Sequence, residues 1–285
     1  MHGAKSWVGP ERDWSGHDRR HGSDPRLPRY DVIEPMPVPI SGHAAPAART
    51  TVTRGAEHYL QAIYALTAER RVVIGATLAR HLRVTAPSVT QALKRLERDG
   101  LVELVNRGDR KEVRLTPEGY RIGEASTRKH RLIETWLVSH LKLRSTEAHE
   151  AAERLEAGFS ELLLSHLFDA IGRPFACPHG NPIPGWGKID HDGTYLDAVT
   201  PGIEVRIGRI TEEAEADLDL LTYLERNGIV PGTRLRILSV DRLSGAVTAR
   251  SERDVEVRIE RRSAALIFVR AVASAPDGTT DPASS

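Results

Sequence analysis

Residues 75–100, GATLARHLRVTAPSVTQALKRLERDG, constrain the fold of this chain more than any other stretch. The spacing predicts a short helix over 75–82, a turn at Arg83-Val84, and a second helix that begins just after Thr85. Thr85 suits the cap of that helix, Pro87 its first turn and Gly100 its left-handed stop. Two helices joined by so tight a turn, the second carrying Ser, Thr, Gln, Lys and Arg on its exposed side, read as a helix-turn-helix. The next stretch, LVELVNRGDRKEVRLT, reads as two short strands around Arg107-Gly108-Asp109, which is a wing.

The flanking segments extend this frame. RGAEHYLQAIYAL, beginning near Thr53, places Leu60, Ile63 and Leu66 or Tyr64 on one helical face. Thr116 caps and Pro117 opens a long helix expected to reach about Leu143, with Ile122, Leu132, Trp136 and Leu137 along it. Shorter helices are expected near 146–156 and 159–171. Leu162, Leu163, Leu167 and Phe168 make the last one more apolar than a small domain needs, which implies a homodimer interface. Residues 173–196 are too rich in Pro and Gly for regular structure. Beyond them Ile203, Val205 and Ile207 alternate, as do Leu235 and Ile237, then Val255, Val257 and Ile259, the period of half-buried strands. One helix is expected near 213–226, ended by Asn227-Gly228.

The fold class expected is mainly α with a small β-domain. It comprises an N-terminal winged helix-turn-helix over 51–117, a helical dimerisation domain over 118–172, a linker over 173–197 and an SH3-like barrel over 198–272. Residues 1–50 read as a disordered tail, in which His2, His17, His21 and His43 are solvated and Met36 offers a second start. Residues 273–285 read as another tail.

Composition excludes several classes of protein. No apolar run approaches the roughly 20 residues of a membrane-spanning helix, and the N-terminus lacks a signal-peptide core. The single cysteine, Cys177, rules out an intrachain disulfide and a four-thiolate metal site. A cytoplasmic location is therefore expected. With 40 basic and 39 acidic residues the net charge is only +1, but the charges cluster. Lys94, Arg95 and Arg98 precede Arg107, Arg110, Lys111 and Arg114. Glu147, Glu150, Glu153 and Glu156 form one acidic group, and Glu212, Glu213, Glu215, Asp217 and Asp219 another. One region suits phosphates and two suit cations. The motifs HExxH and G-x-S-x-G and a phosphate loop are all missing, so an enzyme is not expected.

Five segments in this order, EHYLQAIYAL, PSVTQALKRLERDGLV, LTPEGYRIGEASTRKHRLIETWL, HEAAERLE and CPHGNPIPG, resemble the iron- and manganese-dependent regulators related to the diphtheria toxin repressor. The resemblance covers roughly residues 54–272 and implies a metal-dependent repressor of metal-homeostasis genes. It also implies that the dimerisation domain binds metal and that the barrel is of the FeoA type. Two divalent cations per subunit are expected, Mn²⁺ or Fe²⁺, with Zn²⁺ also compatible.

By the same resemblance an ancillary site consists of His130, Glu134, His149, Glu212 and Glu215. His130 and Glu134 stand at i and i+4 on the long helix and so share a face. A regulatory site uses the positions of His58, Glu153 and Glu156. There the sequence departs from the family, with Ala157 where a histidine is usual. Two readings stay open: His58 replaces that imidazole, with Gln61 or water completing the shell, or the site is weakened and the chain no longer senses metal there. Cys177 and His179 lie in a Pro- and Gly-marked turn and read as turn residues. On DNA, Thr85, Pro87, Ser88 and Gln91 are expected at base edges. Arg95, Arg98 and Arg110 are expected on phosphates.

Overall fold

The computed structural model describes residues 52–69, 71–189 and 191–272. The two tail readings, with His2, His17, His21, His43 and Met36, lie outside the described residues.

Helix α1, Arg54–Ala68, starts where the Thr53 hydroxyl accepts the Ala56 N–H at 3.3 Å. Its buried face carries Leu60, Ile63 and Leu66. Helix α2, Gly75–His81, stops in a turn closed by Arg83 in the left-handed region, φ 53°. Helix α3, Ala86–Arg98, opens on the Thr85 hydroxyl, which accepts the Ser88 N–H, and ends before Gly100 at φ 71°. Val89, Leu93 and Leu96 turn inward from α3 and share one core with Leu60, Ile63, Leu66 and Leu78. Strands β1, Val102–Arg107, and β2, Arg110–Leu115, pair antiparallel from Val102 opposite Leu115 to Arg107 opposite Arg110. This is the winged helix-turn-helix expected from the sequence.

Helix α4, Pro117–Ser139, is capped by the Thr116 hydroxyl, which accepts the Gly119 N–H at 3.1 Å. It stops short of Leu143 because Lys142 turns left-handed, φ 58°, and the Leu143 N–H folds back onto the Leu137 carbonyl. Helix α5 follows over Ser145–Leu155, then a 3-10 turn over Glu156–Gly158 and helix α6 over Glu161–Ala170. Leu132, Ile133, Leu137, Ala148, Ala152, Leu164 and Ile183 form their common core. Of the four apolar residues expected on the outer face of α6, only Leu162 and Leu163 are exposed, at 70% and 45%. Leu167 and Phe168, expected on the same outer face, belong to this chain's own core, where the Phe168 ring stacks on Trp186 at 3.7 Å.

The C-terminal part consists of β3 (Thr194–Tyr195), β4 (Glu204–Ile210), α7 (Glu212–Glu215), α8 (Leu218–Arg226), β5 (Arg234–Val240), β6 (Val247–Ser251), β7 (Glu256–Ile259), α9 (Arg261–Ala264) and β8 (Ile267–Ala271). The strands form one antiparallel sheet in the order β3-β8-β4-β5-β6-β7. Its inward residues Val205, Ile207, Leu235, Ile237, Val257 and Ile259 follow the alternation of the sequence, whereas Val255, expected to join them, is exposed ahead of β7. The single helix expected near 213–226 is divided in two. Asp217 restarts it by accepting the Leu220 N–H at 3.0 Å, which leaves α7 as a separate acidic turn.

Helices α1 and α4 cross at Gly123, where a Cβ would stand 2.6 Å from the Leu60 carbonyl oxygen and 3.0 Å from the Tyr64 Cβ. A side chain there must push the two helices apart. Gly123→Val should therefore cost about 1–3 kcal/mol of stability. A urea unfolding midpoint clearly below that of the unsubstituted chain is the expected result.

Candidate metal centre

The centre forms where α4, α5, the Pro/Gly segment and α7 converge. His130 and Glu134 project one turn apart from α4 and are both buried. His149 reaches in from α5, its Nδ1 3.2 Å from His130 Nε2 and 3.4 Å from Glu134 Oε1. Ligand atoms of His130, Glu134 and His149 lie within 4.8 Å of one another. Glu215 completes this side, with its Oε2 3.9 Å from His149 Nδ1.

The opposite wall comes from the CPHG turn. It forms as the sequence suggests: the Gly180 N–H donates to the Cys177 carbonyl at 2.9 Å, with Gly180 at φ 82°. A Cβ on Gly180 would lie 2.4 Å from the Gly208 carbonyl oxygen, so only glycine lets the turn press onto β4. The Ile210 N–H donates to the His179 carbonyl at 2.8 Å and seals the contact. His179 Nδ1 thereby stands 3.4 Å from both Glu134 Oε1 and Glu215 Oε1. Reading Cys177 and His179 as turn residues alone is thus incomplete. Glu134, Cys177 and His179 form a second buried triplet within 4.8 Å. Nothing local in the sequence marks this role, because the partner carboxylates lie far along the chain.

The electrostatics fit a cation. Burial pushes the Glu134 carboxyl up, but His179, His149 and His130 outweigh it and hold it well below the usual carboxylate range. Burial, reinforced by Glu212, lifts Glu215 to about 7. Burial lifts the Cys177 thiol to about 11. Burial opposes charge on His179, yet Glu215 and Glu134 raise it well above the usual imidazole range. Both Glu134 oxygens and both His179 nitrogens are buried without a hydrogen-bond partner among the described residues. Buried polar groups seldom remain so. A divalent cation taking carboxylate, imidazole and thiolate donors would satisfy all of them, and its charge would deprotonate the thiol.

Glu212, the fifth ancillary candidate, is engaged elsewhere. Arg131 donates through Nη2 to its Oε2 at 2.7 Å and, against burial, holds the carboxyl down at about 2. The Glu212 backbone N–H donates to Glu69 Oε1 at 2.9 Å, and Glu69 also takes Arg209 Nη1 at 3.2 Å. The neighbouring Glu213 pairs with Arg71 at 2.9 Å and Arg80 at 3.0 Å, both in the winged helix. Helix α7 therefore faces the deep centre, α4 and the DNA-binding domain at once.

A cavity of about 370 Å³ opens onto the centre, where His130, His149, Glu212 and Glu215 line it beside residues of the winged helix and α5. His58 and Glu153 line it, as do Gln61, His81 and Glu150. Glu156 does not join them: its Oε1 turns to His130 Nδ1 at 2.7 Å. The reason is local, since Glu156 opens the 3-10 turn and leaves the register of α5. Of the three regulatory candidates, two share the cavity and the third buttresses a ligand of the deep centre.

On the recognition helix, Thr85 is occupied by capping and by a 2.9 Å hydrogen bond between its hydroxyl and that of Ser88. Pro87, Ser88, Gln91, Arg95 and Arg98 are exposed. Arg98 also pairs with Asp99 at 3.0 Å, and Arg110 stands in the open at the tip of the wing.

Three family descriptions match consecutive parts of the chain. "Iron dependent repressor, N-terminal DNA binding domain" matches residues 51–109, "Iron dependent repressor, metal binding and dimerisation domain" matches 116–185, and "FeoA domain" matches 194–271. The chain is 35% identical over 192 residues to the iron-dependent repressor IdeR of Mycobacterium tuberculosis, covering 64% of this chain and 82% of that protein. It is 32% identical over 212 residues to the diphtheria toxin repressor of Corynebacterium diphtheriae, covering 70% and 91% respectively. Among solved structures, a manganese-dependent transcriptional repressor in complex with manganese superposes with TM-score 0.63 at 30% identity, covering 76% of this chain and 100% of that one. The manganese regulator SloR superposes with TM-score 0.65 at 29% identity, covering 78% and 100%.

Removal of metal should be visible as lost stability. Mn²⁺ at about 100 times its Kd should add about 2.7 kcal/mol relative to chelator-treated protein. Glu134→Gln, which withdraws the central carboxylate, should remove most of that gain. Thermal unfolding with and without chelator gives the comparison.

Proposed function

The chain belongs to the iron-dependent repressor family that includes the diphtheria toxin repressor, and on that premise we propose that it is a metal-dependent transcriptional repressor. It acts in the cytoplasm as a homodimer on operator DNA of metal-homeostasis genes, with Mn²⁺ or Fe²⁺ as effector and Zn²⁺ also accommodated. No described helix is long and apolar enough to cross a membrane. One observation carries this reading: Glu134 and His179, buried without partners in a seam whose other wall is ion-paired to the winged helix.

A bound cation supplies positive charge that offsets the repulsion among the converging carboxylates. We assign the deep centre to Glu134, His130, His149, Cys177, His179 and Glu215, and treat Glu212 as an anchor to Arg131. Glu156 orients His130 through its Nδ1. His58 and Glu153 face one another across the cavity, one from the DNA-binding domain and one from α5. Ligation there fixes the angle of the winged helix against the dimerisation helices, and hence the distance between the two recognition helices of a dimer. DNA and metal favour the same arrangement, so each strengthens the binding of the other. Leu162 and Leu163, exposed side by side, supply apolar surface for the dimer. In the major groove Pro87, Ser88 and Gln91 read base edges, while Arg95, Arg98 and Arg110 meet phosphates. Thr85 contributes by capping the recognition helix.

The decisive experiment measures anisotropy of labelled promoter DNA with metal-free protein at constant ionic strength, while Mn²⁺, Fe²⁺ or Zn²⁺ is added. One of them should raise affinity at least tenfold, about 1.4 kcal/mol of coupling. Equal affinity with and without metal would leave a winged-helix regulator that does not sense metal. On the preferred site Gln91→Ala should cost about 1–3 kcal/mol. Arg95→Ala should weaken all sequences alike and lower the slope of log affinity against log salt by about 1. Replacing Leu162 and Leu163 together by Asp should give a monomer in sedimentation, with weaker DNA binding.

A further inference from the structure

Histidine 81 is the residue that the mechanism so far leaves without a role. It lies at the end of α2, the first helix of the helix-turn-helix, within the apolar-patterned GATLARH. Its side chain lines the 370 Å³ cavity together with His58, Glu150, Glu153 and Glu212. Its Nδ1 is buried and has no hydrogen-bond partner among the described residues. An imidazole that merely packed in a core would normally have that nitrogen satisfied, since leaving it unmade is costly.

Three facts converge on this nitrogen. Helix α5 brings Glu150 and Glu153 to the same cavity, with Arg154 paired to Glu150 beside them. The acidic helix lacks an imidazole at Ala157, and Glu156 has turned to His130. The two remaining candidates, His58 and Glu153, make too small a donor set for a first-row cation. We propose that His81 is a metal ligand in this cavity, joining His58 from the winged helix and Glu153 from α5. The inference rests on the repressor reading above and deepens it, because it ties the cation directly to the helix-turn-helix rather than to α1 alone.

The donor set carries a consequence for selectivity. Two imidazoles with one carboxylate suit Fe²⁺, Co²⁺ or Zn²⁺ better than a set dominated by oxygen, which suits Mn²⁺. His81→Gln should therefore weaken Co²⁺ binding in the cavity more than Mn²⁺ binding.

Cobalt(II) is the probe, because its visible bands report nitrogen ligation. The full chain is stripped of metal and titrated anaerobically with Co²⁺. Two binding steps are expected in the unsubstituted protein. In His81→Gln one step should weaken at least tenfold and lose its visible bands, while the step carried by Glu134 and His179 persists. Unchanged affinities and spectra overturn the role of His81 and leave the repressor reading intact. Failure of the unsubstituted chain to bind Co²⁺ overturns both. If the variant does not fold, the unsubstituted chain decides by carbethoxylation with diethyl pyrocarbonate. Modification of the His81 peptide, read by mass, should slow at least fivefold with Co²⁺, and an unchanged rate overturns the inference.

Discussion

Three carboxylates, Glu134, Glu212 and Glu215, are buried together in the seam between the dimerisation helices and the barrel. Isolated buried charges are expensive by several kcal/mol each unless paired. The chain satisfies one of them internally, with Arg131 on Glu212. Glu215 takes one hydrogen bond, from the Asn181 side-chain amide, and Glu134 meets only imidazoles at 3.4 Å, contacts too long for good hydrogen bonds. The seam is therefore a place where added positive charge is worth more than anywhere on the surface.

Helix α7 turns this local requirement into a mechanical one. Three of its four residues are glutamates and each faces a different body: Glu212 meets Arg131 of α4, Glu213 meets Arg71 and Arg80 of the winged helix, and Glu215 enters the deep centre. A four-residue helix cannot move one of these contacts without the others. The pairing of Glu69 with Arg209 and with the Glu212 N–H adds a buried polar clamp at the same junction. The seam and the winged helix are in this way joined by contiguous hydrogen bonds and ion pairs.

The cavity beside the centre is the complementary device. Its walls come from the winged helix, from α5, and from α4 and α7, so donors of the winged helix and of the dimerisation helices face one space. A ligand shell split across two bodies responds to their separation, whereas a shell within one body does not.

Much of this was legible without coordinates. Caps at Thr53, Thr85 and Thr116, the left-handed glycine at position 100 and the period-two strands act over a few residues, so local sequence determined the winged helix, the long helix and the barrel strands. The i, i+4 pairing of His130 and Glu134 is equally local, and the structure gathers both with His149 in one cluster. What tertiary structure alone decided are the encounters between distant segments. Whether Cys177 and His179 are merely a turn depends on Gly180 docking against Gly208, which brings His179 to carboxylates from two other elements. Whether Glu212 is a ligand depends on Arg131, whose guanidinium reaches it across 81 positions of sequence. The place of His81 beside His58 depends on how α2 packs against α1. Secondary structure follows from short-range sterics and capping. Donor sets and ion pairs follow from which buried charges the packing leaves face to face, and no pattern within one segment encodes that.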